Sequence, residues 1–166
     1  GFTLDSVTVT QSGPQAAEAA VVFTNMGETK RQTLKLVKEG VRRGGTMMVP
    51  AFSIERTQEF LFELHKLSEH DRTLPPIPIF LDSPMSIKAM HIYKQHPEYY
   101  DREAAAKYHL GEDFFDFPEL HLTPTREESK KINAVPGPKM IIAGAGMMNG
   151  GRIVHHALRY LPVLIR

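Results

Sequence analysis

No cysteine occurs anywhere in the 166 residues, so the chain can form neither a disulfide framework nor a thiolate-ligated zinc site. Such usage fits a reducing compartment, and the cytoplasm is the expected location. Charge of one sign is missing as well: 20 Lys and Arg stand against 19 Asp and Glu, a net charge of +1. No global field draws the chain to nucleic acid, and binding of that kind needs a local patch. No run approaches the roughly twenty apolar residues of a membrane span, and the start lacks the basic-then-apolar order of a signal peptide, so no membrane partner is expected. Internal repeats, low-complexity tracts and convincing linkers are absent too. What is there, 42% hydrophobic residues in a chain of this length, suits a globular domain with a sizeable core.

Short apolar runs alternate with segments of helical period. That pattern predicts an α/β fold with a mainly parallel sheet of about five strands and helices on both faces. Ala19 to Phe23, Thr46 to Val49, Pro78 to Leu81, Leu120 to Thr123 and Lys139 to Ala143 read as strands. Leu34, Val37 and Val41 mark one face of a helix over Thr29 to Arg43, which Gly44-Gly45 stops. Ser53 can cap a helix running to about Ser68, with Glu55 near its start. Ser86 can cap the helix that carries Ile87, Met90 and Ile92 toward His96, and Thr125 with Glu128 forms a capping box. The aromatics between Pro97 and Pro118 read as an excursion packed over the sheet, and a last helix runs from about Gly150 to Leu161. Residues 1–18 form an unassigned N-terminal segment; 19–166 form the α/β domain.

In an open parallel sheet, ligands collect in the crevice outside the carboxyl ends of the strands. The loops expected there are Pro50-Ala51-Phe52-Ser53, Asp82-Ser83-Pro84, Thr123-Pro124-Thr125 and Ala143 to Gly151. The last carries the densest signal. Ile141-Ile142-Ala143 runs into Gly144-Ala145-Gly146-Met147-Met148-Asn149-Gly150-Gly151-Arg152, where glycines let the main chain approach a ligand. The helix start that follows offers unpaired N–H groups and a positive dipole end. Phosphates suit such a place. The spacing is neither GxGxxG nor a P-loop, and a glycine turn made for packing alone accounts for it equally well. Arg56 and Arg152 each stand in the first turn of a helix, where a cation opposes the dipole. A bound anion removes that conflict, and so does a neighbouring carboxylate. The candidate phosphate-binding residues are Ser53, Arg56, Ser83, Gly144, Gly146, Gly150, Gly151 and Arg152.

The eight histidines supply no convergent metal set, since catalytic zinc takes about three protein ligands. His155 and His156 point about 100° apart on a helix, one ring against the sheet and the other outward. His65, His91 and His121 stand alone on their elements. No catalytic and no metal-ligating residue is assigned.

Several segments, in order, resemble one family. Pro50-Ala51-Phe52-Ser53-Ile54-Glu55-Arg56-Thr57-Gln58-Glu59 is similar to the PAFxxGRxQE segment of the β-CASP domain, the Rossmann-like module inserted into metallo-β-lactamase-fold nucleases that process RNA. Leu81-Asp82-Ser83-Pro84-Met85, His96-Pro97-Glu98-Tyr99-Tyr100, Phe115-Asp116-Phe117-Pro118 and Thr125-Arg126-Glu127-Glu128-Ser129-Lys130 follow. The glycine loop through His155-His156 resembles the family's GSGMxxGGRxxHH block. Together the segments cover roughly residues 28 to 162.

The resemblance implies a part of a zinc-dependent ribonuclease that hydrolyses phosphodiesters. This module closes over the metal site as a lid and helps to hold the backbone of an RNA, single-stranded by expectation. The metals belong to the metallo-β-lactamase domain, whose HxHxDH motif does not occur here. This chain itself then needs no cofactor, the complete enzyme needs zinc, and the isolated chain is expected to be inactive. Three departures stand out. Phe23 replaces the acid that in the family assists the active site. Glu55 replaces a glycine beside Arg56. Phe2-Thr3-Leu4-Asp5 only faintly matches the segment bearing the metal-bridging aspartate. A catalytically dead β-CASP-like module for binding or assembly is the alternative, and a small phosphate-ligand-binding α/β domain is a third reading. A homo-oligomer stays open, because Leu161-Pro162-Val163-Leu164-Ile165, if exposed, invites association.

Overall fold

Short stretches rich in apolar residues, too short for helices, become the central strands here. The computed structural model describes residues 7–9, 19–21, 37–70 and 76–161. Strands β1 (Val7–Val9) and β2 (Ala19–Val21) precede a helix described over 37–42, α1. Next come β3 (Thr46–Pro50), α2 (Arg56–His70), β4 (Ile79–Leu81), α3 (Pro84–Gln95) and α4 (Arg102–His109). The chain continues with β5 (Leu120–Leu122), α5 (Arg126–Lys131) with a 3-10 turn at Ile132–Ala134, β6 (Lys139–Ala143) and α6 (Gly151–Tyr160).

The sheet order is β1-β2-β3-β6-β4-β5. Strands β3, β6, β4 and β5 form the parallel sheet that carries the loops of interest, β2 continues it in parallel, and β1 pairs antiparallel at the edge. The sequence did not anticipate β1, which lies in the expected N-terminal segment yet pairs Val7 with Val21. Of the sequence expectations, Asp5, Phe23 to Gly27, residues 29–36, Leu74-Pro75 and 162–165 lie outside the described residues.

Both faces of the central strands are buried, as parallel sheets require. Met47, Val49, Ile79, Leu81, Met140 and Ile142 point into a core shared with α2, α3 and the Phe114–Phe117 excursion. Met48, Phe80, Ile141 and Ala143 point to the other side, against Ile132, Ile153 and Ala157. The alternation is the period-two geometry of strands. The aromatic excursion packs as expected: Phe62 and Phe114 meet edge-on with centroids 4.8 Å apart. Among the described residues no helix is long and apolar enough to cross a membrane.

Two helix caps differ from the sequence expectation. Helix α3 is capped by Ser83, whose hydroxyl accepts from the Ser86 amide at 3.3 Å, because Pro84 occupies the first helical position and moves the cap ahead of it. Helix α2 starts at Arg56 rather than directly after Ser53. Glu55 sits in the left-handed region at φ 69° and turns the chain first. That conformation costs a side-chain-bearing residue about 1–2 kcal/mol, which explains why glycine suits this place in the resembling segment. The capping box of α5, Thr125 with Glu128, is present in full.

Candidate functional site

At the carboxyl ends of the parallel strands the expected loops come together. The Ala51 amide donates to the Ala143 carbonyl (3.1 Å), the Asp82 amide to Ile142 (2.8 Å), and the Thr123 amide to Leu81 (3.2 Å). Each loop is thereby an extension of the ladder behind it.

Asp82 is the hub of this edge. It directly follows β4, is fully buried, and its two oxygens accept four hydrogen bonds. Oδ1 takes Thr123 Oγ1 at 2.9 Å and an Arg152 guanidinium nitrogen at 2.7 Å; Oδ2 takes Ser129 Oγ at 2.7 Å and His156 Nε2 at 2.7 Å. Burial pushes the carboxyl up, but the donors from His156, Ser129, Arg152 and Thr123 together outweigh it, and the group is held below its ordinary value. An ionised carboxylate so fully satisfied is a structural anchor, not an acid or base for chemistry.

Arg152 is thus turned inward. Besides Asp82 it donates to the carbonyls of Thr123 (2.6 Å) and Pro124 (3.0 Å). The carboxylate answer to the dipole conflict is the one this arginine takes, and three of its five N–H donors are engaged. It ties the glycine loop to the loops after β4 and β5.

The other candidates divide. Ser53 Oγ and Ser83 Oγ lie 3.4 Å apart, and an atom added at Gly144 would stand 3.5 Å from the first and 3.7 Å from the second. These three residues converge on one point. Gly146 lies under the Phe52 ring, whose edge is 3.0 Å from where its Cβ would be. Gly150 is the uncapped N-terminus of α6 and has open space around it. Gly151 is at φ 72°, and a Cβ there would meet the Gly144 carbonyl oxygen at 2.5 Å. That same carbonyl accepts from the Ile153 amide at 3.1 Å, so one donor of the helix start is already used. Arg56 opens α2, and its Nη1 is buried without a hydrogen-bond partner among the described residues.

The histidines fall as expected: His156 is buried and His155 exposed. His65 packs beside Phe117. Among the described residues only His65, Glu69 and Glu112 bring ligand atoms within 4.8 Å of one another. Zinc does not fit there, because the Lys107 ammonium donates to both carboxylates, to Glu69 at 3.1 Å and to Glu112. The cluster is an ion-pair network. It also lies toward the far end of α2 from Arg56.

Sequence reasoning missed the Asp82 network. The signal was an acid closing an apolar strand, but its partners Thr123, Ser129 and His156 lie 41 to 74 residues away. Arg126, Lys130 and Arg159, which line a cleft beside Arg152, also went unassigned.

Residues 57–163 match the family model described as the Beta-Casp domain. The chain is similar to Ribonuclease TTHA0252 of Thermus thermophilus, 37% identical over 129 residues that span 78% of this chain and 29% of that protein. It is also similar to Transcription termination factor FttA of Methanosarcina mazei, 30% identical over 130 residues, 78% of this chain and 20% of that protein. FttA of Methanocaldococcus jannaschii is 29% identical over 142 residues, 85% of this chain and 22% of that protein. The chain spans less than a third of the length of each of these relatives.

Proposed function

The chain belongs to the Beta-Casp domain family, and from that premise we propose that it is the RNA-backbone-holding part of an RNA-processing nuclease. The carboxyl edge of its sheet is the holding surface. Cutting is assigned to the remainder of the complete enzyme: zinc, if it serves that chemistry, is ligated by residues outside those described here, since their donor sets do not fit it.

One observation carries the reading. Four buried side-chain polar atoms lack a partner among the described residues, and the two of them that can donate to a phosphate and flank this edge, Arg56 Nη1 and Ser86 Oγ, lie at the starts of α2 and α3. Those two helix starts flank the convergent hydroxyls of Ser53 and Ser83. Buried polar atoms without partners are rare because each forfeits its hydration. A cationic donor, two helix N-termini and paired hydroxyls together suit phosphate oxygens.

Arg56→Ala is expected to weaken single-stranded RNA binding about equally for all sequences and to lower the salt slope by about 0.7. Arg56→Lys retains that slope. Glu55→Gly removes a negative charge beside Arg56 and relieves the left-handed residue, so binding tightens and the melting temperature rises. Fluorescence anisotropy across a salt series reads the binding of all three and thermal melting the stability of Glu55→Gly; an Arg56→Ala chain with unchanged affinity and slope contradicts the proposal.

A further inference from the structure

Between α5 and α6 runs a cleft of about 720 Å³. Arg126 and Lys130 line it from α5, and Arg152, His155 and Arg159 from α6. No carboxylate is among its lining residues. Several cations elsewhere are paired: Lys94 with Asp113, Lys107 with Glu69 and Glu112, Arg43 with Glu39. Arg126, Lys130 and Arg159 are exposed, and none has a carboxylate partner among the described residues. On α5 the nearby Glu128 is committed to its own cap at Thr125.

The two walls of the cleft are tied to each other through shared partners. Lys139, 2% exposed at the start of β6, donates to the carbonyls of Ile132 (2.9 Å) and Val135 (2.6 Å) and to the Tyr160 hydroxyl (2.9 Å). One ammonium thereby pins the end of α5 and the last turn of α6 to the same strand. The upper rim is held by Ser129 and His156 on Asp82. Both helices are thereby anchored to common partners, Lys139 and Asp82.

Spacing decides what kind of anion fits. Arg126 and Lys130 are four residues apart on one helix face, and Arg152 to Arg159 spans about 10 Å of the other helix. Cations spread over that length meet more than one phosphate of a continuous backbone. A single phosphate would use one end of it. The cleft opens at Gly151 and Arg152, where the glycine loop of the sheet edge ends.

We infer that this cleft is a second phosphate-binding tract, which takes the backbone of the same single-stranded RNA for a few nucleotides beyond the sheet edge. The inference rests on the RNA-holding role proposed above. Its contacts are sequence-independent, because exposed arginine and lysine side chains reach phosphates rather than base edges.

The test uses the complete chain and two oligonucleotides of one composition, one short enough for the sheet edge alone and one several nucleotides longer. Replacing Arg126, Lys130 and Arg159 together by Gln should lower the salt slope for the long RNA by about two, at about 0.7 per phosphate lost on a single strand. Binding of the short RNA should stay as it was. Replacement of the two arginines by Lys with Lys130 retained should keep the long-RNA slope. All three side chains are exposed, and thermal melting of the triple variant confirms that it folds. Long-RNA binding unchanged in the triple variant, or short and long RNA weakened alike, overturns the tract while leaving the sheet-edge reading in place. A wild-type chain that binds neither RNA overturns both.

Discussion

Asp82→Asn should lower folding stability by about 3 kcal/mol, the lower part of the range for breaking a buried ion pair, and reduce the melting temperature by about 10 °C. The variant keeps the size of the side chain and removes its charge. Arg152 then stands partly buried opposite a neutral amide, and the amide nitrogen faces a donor where an acceptor had been. Arg152 retains some contact with solvent, its side chain being 20% exposed, which is why the loss is placed low in the range. The pH dependence fixes the cause. Asp82 is held below its ordinary value in the fold, so its contribution is complete above the unfolded carboxyl value of about 4 and disappears as pH falls through the lower folded value. Wild type and Asp82→Asn should therefore differ by a constant amount at neutral and mildly acidic pH and converge below about pH 4. A gap under about 1 kcal/mol at neutral pH, readable by urea melting, contradicts the anchoring role.

Gly151→Ala and Gly150→Ala should part company although they are neighbours. At Gly151 the positive φ alone costs alanine about 1–2 kcal/mol. The new Cβ would also stand 2.5 Å from the Gly144 oxygen, a backbone atom that cannot swing aside. The loop must open, and the bond from the Ile153 amide to Gly144 opens with it, at about 1 kcal/mol more. The expected loss is about 2–3 kcal/mol, together with weaker RNA binding, because the loop that meets Ser53 and Ser83 at Gly144 moves. Gly150 has an extended φ of 173° and nothing within 4 Å of a Cβ, so alanine there should be close to neutral. Equal melting temperatures for the two variants would contradict this account of the loop.

The periodicities that reveal the fold are local, and they were read correctly at the strands. Met47 to Val49, Ile79 to Leu81 and Met140 to Ala143 are continuous apolar runs, and each lies in a central strand of the sheet. β1 escaped notice: three residues, Val-Thr-Val, carry too little pattern to stand out. The caps at Ser53 and Ser86 were misplaced because the cap position depends on what the backbone does next. Pro84 and the left-handed Glu55 decide it. The loops of the candidate site were located by a topological rule that needs only strand order. The direction of each side chain was not available from that rule. Arg56 and Arg152 look alike in sequence, each first or second in a helix, yet one leaves a buried nitrogen unpartnered and the other closes on Asp82, 70 residues away. A contact across that separation leaves no periodic trace in the chain.

An amide-resolved NMR titration of the chain with a single-stranded RNA tests most directly where the backbone is held. RNA held at the carboxyl edge shifts the amides of 51–55, 82–83, Thr123, Thr125 and 143–152 first and most, with smaller shifts continuing along Arg126 to Asn133 and His155 to Arg159. Shifts confined to the opposite end of the sheet, around Gly44, Pro78 and Gly137, or none at any RNA concentration, would contradict it.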